Sequence, residues 1–301
     1  LAGLIGAPPD PEETASPDQR AQAEELEERN TLLPDKPINF TKLRETDADV
    51  EYRAKHVQTN DIPLDHIELN MILEDGHLQT TRLNYGVAQG TVAMNLYVKA
   101  NHSPVQAKLA TNFHQINLKE LLASFEVADE SFGILGGRAT LWMQGGSLAE
   151  WFASSDGGLY LIMTEGHFDA LLVELAGLDF VESAAVFLGT DTGVPLICAY
   201  ADLQVRKGIA TIKPFLIDTT DTKFKGWGII DLGQERMDLT VKPYPKDFSL
   251  LSSRGPLNVT GTFMNPEFGV DPSFPLPEFG TADDSPLCSG MMEALKKARK
   301  S

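Results

Sequence analysis

Six histidines, two cysteines and a few close acidic pairs are the residues of this chain whose types could do chemistry. The histidines are His56, His66, His77, His102, His114 and His167, scattered with no i, i+4 pair. Without that spacing or a Cys-x-x-Cys, no metal site is expected. Asp47/Asp49 and Asp218/Asp221 are close enough in sequence to be imagined as a general acid and base. Asp47 and Asp49 are read instead as solvent-facing positions at the start of a strand. Asp218-Thr219-Thr220-Asp221-Thr222 is read as a hairpin turn whose side chains bond their own backbone. Gly133-Ile134-Leu135-Gly136-Gly137 lacks the strand-to-helix setting of a nucleotide site and is read as a flexible connection before a strand over Arg138–Met143. No Gly-x-Ser-x-Gly elbow or Gly-Lys-Ser/Thr loop occurs. The chain is therefore expected to be non-catalytic, with no metal and no cofactor. Cys198 and Cys288 could close one bridge or stay as two thiols. A bridge would close a loop of roughly 90 residues, worth about 4–5 kcal/mol by chain entropy.

Function must then lie in the elements rather than in reactive side chains. The 301 residues carry 25 basic and 43 acidic groups, a net charge of −18. That balance argues against nucleic acid, which needs a basic stripe. It also disfavours docking on an anionic membrane through charge alone. No apolar run reaches the roughly 20 residues of a membrane helix. The chain starts at Leu1 rather than Met, so it is expected to be a piece of a longer protein, with any anchor upstream.

Residues 1–37 read as an acidic, Pro-rich linker. Between Pro8 and Asp35 nine acidic residues face only Arg20 and Arg29. Beyond it the chain alternates with period two, which places one apolar set on one face of a sheet. Ile67, Leu69, Met71 and Leu73 form one such set; Val92, Met94, Leu96 and Val98 form another. The pattern returns at Leu203 and Val205, and at Leu239 and Val241. Asp75-Gly76 is a strong hairpin signal. Ser147 and Glu150 make a capping box for a helix to about Ser154, and Asn117 caps a turn carrying Leu118, Leu121 and Leu122. A longer helix is expected from near Asp169 towards Leu188, and a last one after Ser285-Pro286.

The segment Leu69-Asn70-Met71-Ile72-Leu73-Glu74-Asp75-Gly76 lies over Ala201-Asp202-Leu203-Gln204-Val205-Arg206-Lys207-Gly208 at a common offset. This internal repeat divides the chain into a first β-repeat unit (38–130), a second with inserted helices (131–270) and a C-terminal tail with a helix (271–301). The expected fold is mainly β with a few short helices (α+β). It is an elongated, curved antiparallel β-sheet forming an open apolar groove, built from repeated strand-turn-strand units.

Several strings resemble the C-terminal region of the AsmA family. They include Pro195-Leu196-Ile197-Cys198-Ala199-Tyr200-Ala201-Asp202, Glu235-Arg236-Met237-Asp238-Leu239-Thr240, Lys242-Pro243-Tyr244-Pro245-Lys246-Asp247 and Pro256-Leu257-Asn258-Val259-Thr260-Gly261-Thr262-Phe263. Upstream, Ile62-Pro63-Leu64-Asp65 and Tyr85-Gly86-Val87-Ala88-Gln89-Gly90 fit as well. The resemblance implies a bacterial envelope protein, anchored in the inner membrane upstream of this chain and facing the periplasm. It implies phospholipid as the partner, handled along a β-groove in outer-membrane biogenesis. The apolar sets at 67–73, 92–98, 203–205 and 239–241 become the lipid-contacting candidates. An oxidising periplasm would favour a Cys198–Cys288 disulfide. The rival reading is a module that binds outer-membrane proteins, or inner-membrane partner proteins, by strand addition at an open edge.

Overall fold

Strands with one apolar side gather those sides on a single surface when they pair edge to edge in register. Thirteen strands do so in the computed structural model, whose described residues are 31–57, 63–122, 132–168, 194–220, 222–245 and 256–270. They are β1 (Ala48–Val57), β2 (Leu64–Glu74), β3 (His77–Val87), β4 (Gly90–Lys99), β5 (Gln106–Asn117), β6 (Phe132–Gln144) and β7 (Asp156–Phe168). Then follow β8 (Val194–Arg206), β9 (Ile209–Thr219), β10 (Thr222–Asp231), β11 (Arg236–Pro245), β12 (Leu257–Gly261) and β13 (Pro266–Val270). Each pairs antiparallel with the next, in chain order, in one curved sheet. At about 4.8 Å per strand, the sheet runs for about 60 Å across its strands. Among the described residues three short helices accompany it: α1 (Thr41–Glu45), α2 (Leu118–Leu122) and α3 (Leu148–Ala153).

The repeat is visible as two matching hairpins. Asp75 and Gly76 join β2 to β3 with φ of 48° and 70°; Lys207 and Gly208 join β8 to β9 with φ of 48° and 75°. Positive φ at both central residues suits the twist of the flanking strands. Gly208 is also sterically required. A Cβ there would lie 2.4 Å from the Ala153 carbonyl oxygen at the end of α3.

Because the strands alternate in direction, the turns β2–β3, β4–β5, β6–β7, β8–β9 and β10–β11 all fall along one rim. Residues 31–45 lie along it. The Leu33 N–H donates to the Glu235 carboxylate in the β10–β11 turn at 2.9 Å. Ala149 N–H donates to the Pro34 carbonyl, and Ile38 N–H to that of Gly146. Arg44 Nε on α1 donates to the Ala100 carbonyl at 2.6 Å, beside the β4–β5 turn. The stretch read as a linker thus ends bound to the sheet, as a seam along its rim.

Under the seam lies the main packed cluster. Phe40 and Trp151 meet at a ring-centroid distance of 6.2 Å and pack with Val98, Ala107, Leu141, Met143, Leu203 and Val205. Trp151 Nε1 donates to the Gly145 carbonyl, so its one polar atom is satisfied on burial. Ser147 caps α3 by accepting from Glu150 N–H, while Glu150 reaches back to Gly146 N–H. Asn117 Oδ1 accepts from Lys119 and Glu120 N–H at the start of α2.

One local expectation is corrected. Residues 133–137 are not a flexible connection but the first part of β6, paired with both β5 and β7. Gly137 allows close approach there, since a Cβ would lie 2.4 Å from the Tyr160 carbonyl oxygen. The helices expected after Asp169 and after Ser285 lie outside the described residues, as does Cys288.

Candidate functional site

Residues directly opposite in an antiparallel ladder point to the same side, so register fixes which side chains share a face. One row runs Leu96, Leu109, Leu141, Gly157, Val205, Ala210, Ile230 and Met237, from β4 to β11. A neighbouring row runs Met94, Thr111, Ala139, Leu159, Leu203 and Ile212. A further row, on the side away from the seam, runs Val92, Phe113, Gly137, Leu161, Ala201, Phe215, Gly226, Val241 and Leu257. None of these positions carries a charge. Leu73 joins the same face through Leu78 and Val98, and Met71, Leu69 and Ile67 alternate from it. Leu239 sits between Met237 and Val241 on that face.

All twelve residues singled out by alternation therefore share one side of one sheet, and burial divides them. Val98, Leu203 and Val205 belong to the cluster under the seam, and Leu73 and Val92 are also buried. Ile67, Leu69, Met71, Met94, Leu96, Leu239 and Val241 are half-buried. With Leu109, Phe113, Leu159 and Leu161 they form a half-covered apolar lane running across the strands. The last four were not singled out from the sequence, although Leu159 and Leu161 alternate with Tyr160. Thr111, 4% exposed, is the one hydroxyl in the three rows, and its Oγ1 has no hydrogen-bond partner among the described residues.

The opposite face is mostly polar. Its row through Asn95, Ala110, Thr140, Gly158, Gln204 and Thr211 backs the apolar rows strand by strand. Away from the seam it buries Ile162, Cys198, Tyr200 and Leu216. Burial there, with the nearby charge of Asp202 and the phenol's hydrogen bond to it, pushes the Tyr200 pKa up to about 12. Burial also raises that of Tyr85 on the apolar face. Cys198 is 2% exposed, and no cysteine among the described residues is free.

Asp47 accepts from Asp75 N–H at the β2–β3 turn, and Asp49 is exposed on β1. Asp218 is near the end of β9, and Asp221 lies outside the described residues. Among the described residues no three His, Cys, Asp or Glu side chains converge as metal ligands. No helix among them is long and apolar enough to cross a membrane.

No solved structure matches the chain. Its sequence is 28% identical over 260 residues to the AsmA family protein YhjG of Escherichia coli K12. That alignment covers 86% of this chain but 38% of YhjG, so the chain spans less than half the relative's length. The AsmA family model matches residues 2–215, which takes in the seam and the apolar rows from β2 to β8. The repeated sheet and the family match agree, and the chain belongs to the AsmA family of bacterial envelope proteins.

Proposed function

We propose that this chain is a non-catalytic segment of a longer envelope protein that holds phospholipid acyl chains along its apolar lane. The observation that carries the reading is the register, which joins uncharged side chains from β4 to β11 in unbroken rows. Laying about 16 methylenes on a half-covered surface recovers about half of 0.8 kcal/mol each, or about 6 kcal/mol. That gain is comparable with the 4–15 kcal/mol lost on association. One tail is thus held weakly, and non-directional contact lets it slide along the rows. Weak hold suits conduction better than storage.

In this reading the segment faces the periplasm, below an inner-membrane anchor carried elsewhere in the longer protein, and serves outer-membrane biogenesis. The oxidising compartment would then join Cys198 to Cys288, tying the tail to β8. The test is native mass spectrometry and lipid extraction of the longer periplasmic region purified from cells. Co-purifying phospholipid is expected, and its absence contradicts the proposal.

A second reading draws on the sheet edges. Among the described residues β1 and β13 each pair on one side only, and β1 offers ten residues. Such an edge can accept a strand from an outer-membrane protein or a partner subunit. Crosslinks from Tyr52 or Val57 to protein rather than lipid would favour it.

A further inference from the structure

The polar face holds a feature that total charge conceals. The eight strands β4–β11 carry nine Lys and Arg against six Asp and Glu, a balance of +3 in a chain of −18. All four lysine–aromatic contacts among the described residues lie on this face, in two clusters. In the first, Lys108 sits 5.1 Å from the Trp142 ring centroid and is paired with Tyr97, over which Lys99 lies at 5.7 Å. In the second, Lys225 and Lys242 lie 5.5 and 5.2 Å from the Tyr244 ring. Trp142 is 51% exposed, and beside the second cluster Trp227 and Ile229 are 47% and 44% exposed.

Two of these lysines face each other across the ladder. Lys225 and Lys242 are directly opposite in the β10–β11 register, so two positive charges are held side by side on this face. Lys223 follows on the same face, with Asp218 opposite it. Asp156 stands opposite Trp142 and Asp238 opposite Ile229. Exposed tryptophan, tyrosine and lysine together are the side chains that settle at the headgroup level of a bilayer.

We propose that the polar face of β4–β11 docks on an anionic phospholipid headgroup surface through these two clusters. The lysines meet lipid phosphates, and Trp142 and Trp227 enter the headgroup layer beside them. The apolar lane takes no part in this contact, so docking is separate from acyl-chain holding. It would set the sheet against a leaflet while leaving the lane uncovered.

The test is flotation of the chain with vesicles of phosphatidylcholine, with and without phosphatidylglycerol, at low and high salt. Binding should require phosphatidylglycerol and weaken with salt. The double substitution Lys225→Gln/Lys242→Gln should lower the affinity about 30-fold, as loss of two surface-proximal lysines. Trp142→Ser/Trp227→Ser should weaken binding without changing its salt dependence. Absence of vesicle binding by the native chain overturns the proposal and leaves the face to an acidic protein partner. Equal binding by native chain and lysine variant overturns it as well.

Discussion

The side chain of Glu235 accepts the backbone N–H of Leu33 at 2.9 Å across 202 residues of sequence. This contact fastens the start of the described chain to the β10–β11 turn, six hydrogen-bonded pairings beyond β4 and β5. It makes the seam, and the cluster beneath it, depend on strands from β4 to β11. Glu235 itself is 4% exposed, so its carboxylate is committed to that role.

Replacing it should loosen the seam before it unfolds the sheet. Glu235→Ala should cost about 2–3 kcal/mol in denaturant unfolding, by stranding buried N–H groups. Glu235→Gln keeps an acceptor and should cost about 1 kcal/mol. The Leu32 N–H also donates to the Glu235 carboxylate, so hydrogen exchange at Leu32 and Leu33 should accelerate in both variants. Unchanged protection at those amides would show that the contact holds nothing.

The matched hairpins give a paired comparison. Gly76 and Gly208 both have positive φ, so alanine should cost about 1 kcal/mol at either by backbone strain. Only at Gly208 would the new Cβ meet the Ala153 carbonyl, at 2.4 Å; at Gly76 the nearest atom is 3.5 Å away. Gly208→Ala should therefore cost at least about 2 kcal/mol, the added part coming from displacement of α3. Equal costs in thermal unfolding would mean that α3 is not packed on that turn.

Much of this architecture was legible in the residues, and the exceptions have physical causes. Asp75-Gly76, the Ser147 capping box and the alternation from Ile67 to Leu73 act over a few residues, and each formed as expected. Gly133 to Gly137 concealed the first half of β6, because glycine has low strand propensity and no side chain to alternate. Glu235–Leu33 and Phe40–Trp151 join residues more than one hundred apart, for which no local period exists. The charge layout was hidden for a related reason. A net charge of −18 suggested repulsion from anionic surfaces, whereas the fold gathers a local excess of basic residues on one face.

Thr111 offers a test of the lane itself. Its buried hydroxyl is unpartnered among the described residues, a condition that costs about 1–3 kcal/mol. Thr111→Val should raise the stability of lipid-free protein by about 1 kcal/mol in chemical denaturation. A loss of stability would mean that the hydroxyl has a partner in solution.

Tyr200 sets an alkaline limit. Its pKa is pushed up to about 12 in the folded chain, against an ordinary value of about 10. The unfolded chain therefore loses this proton first, and unfolding gains as pH rises. The contribution of Tyr200 is complete below about pH 10 and disappears as pH climbs through about 12. Tyr200→Phe should show a shallower fall in denaturant midpoint over that interval than the native chain. Parallel falls would place the Tyr200 phenol in solvent.

The central claim is that acyl chains lie on the apolar lane and not on the face behind it. Photocrosslinking residues placed singly at Met71, Met94 and Leu239, and at Asn95, Thr140 and Gln204 on the opposite face, would test it most directly in cells. The account predicts phospholipid adducts at the first three positions and few or none at the second three. Equal labelling of both faces, or labelling of protein alone at the lane positions, would contradict it.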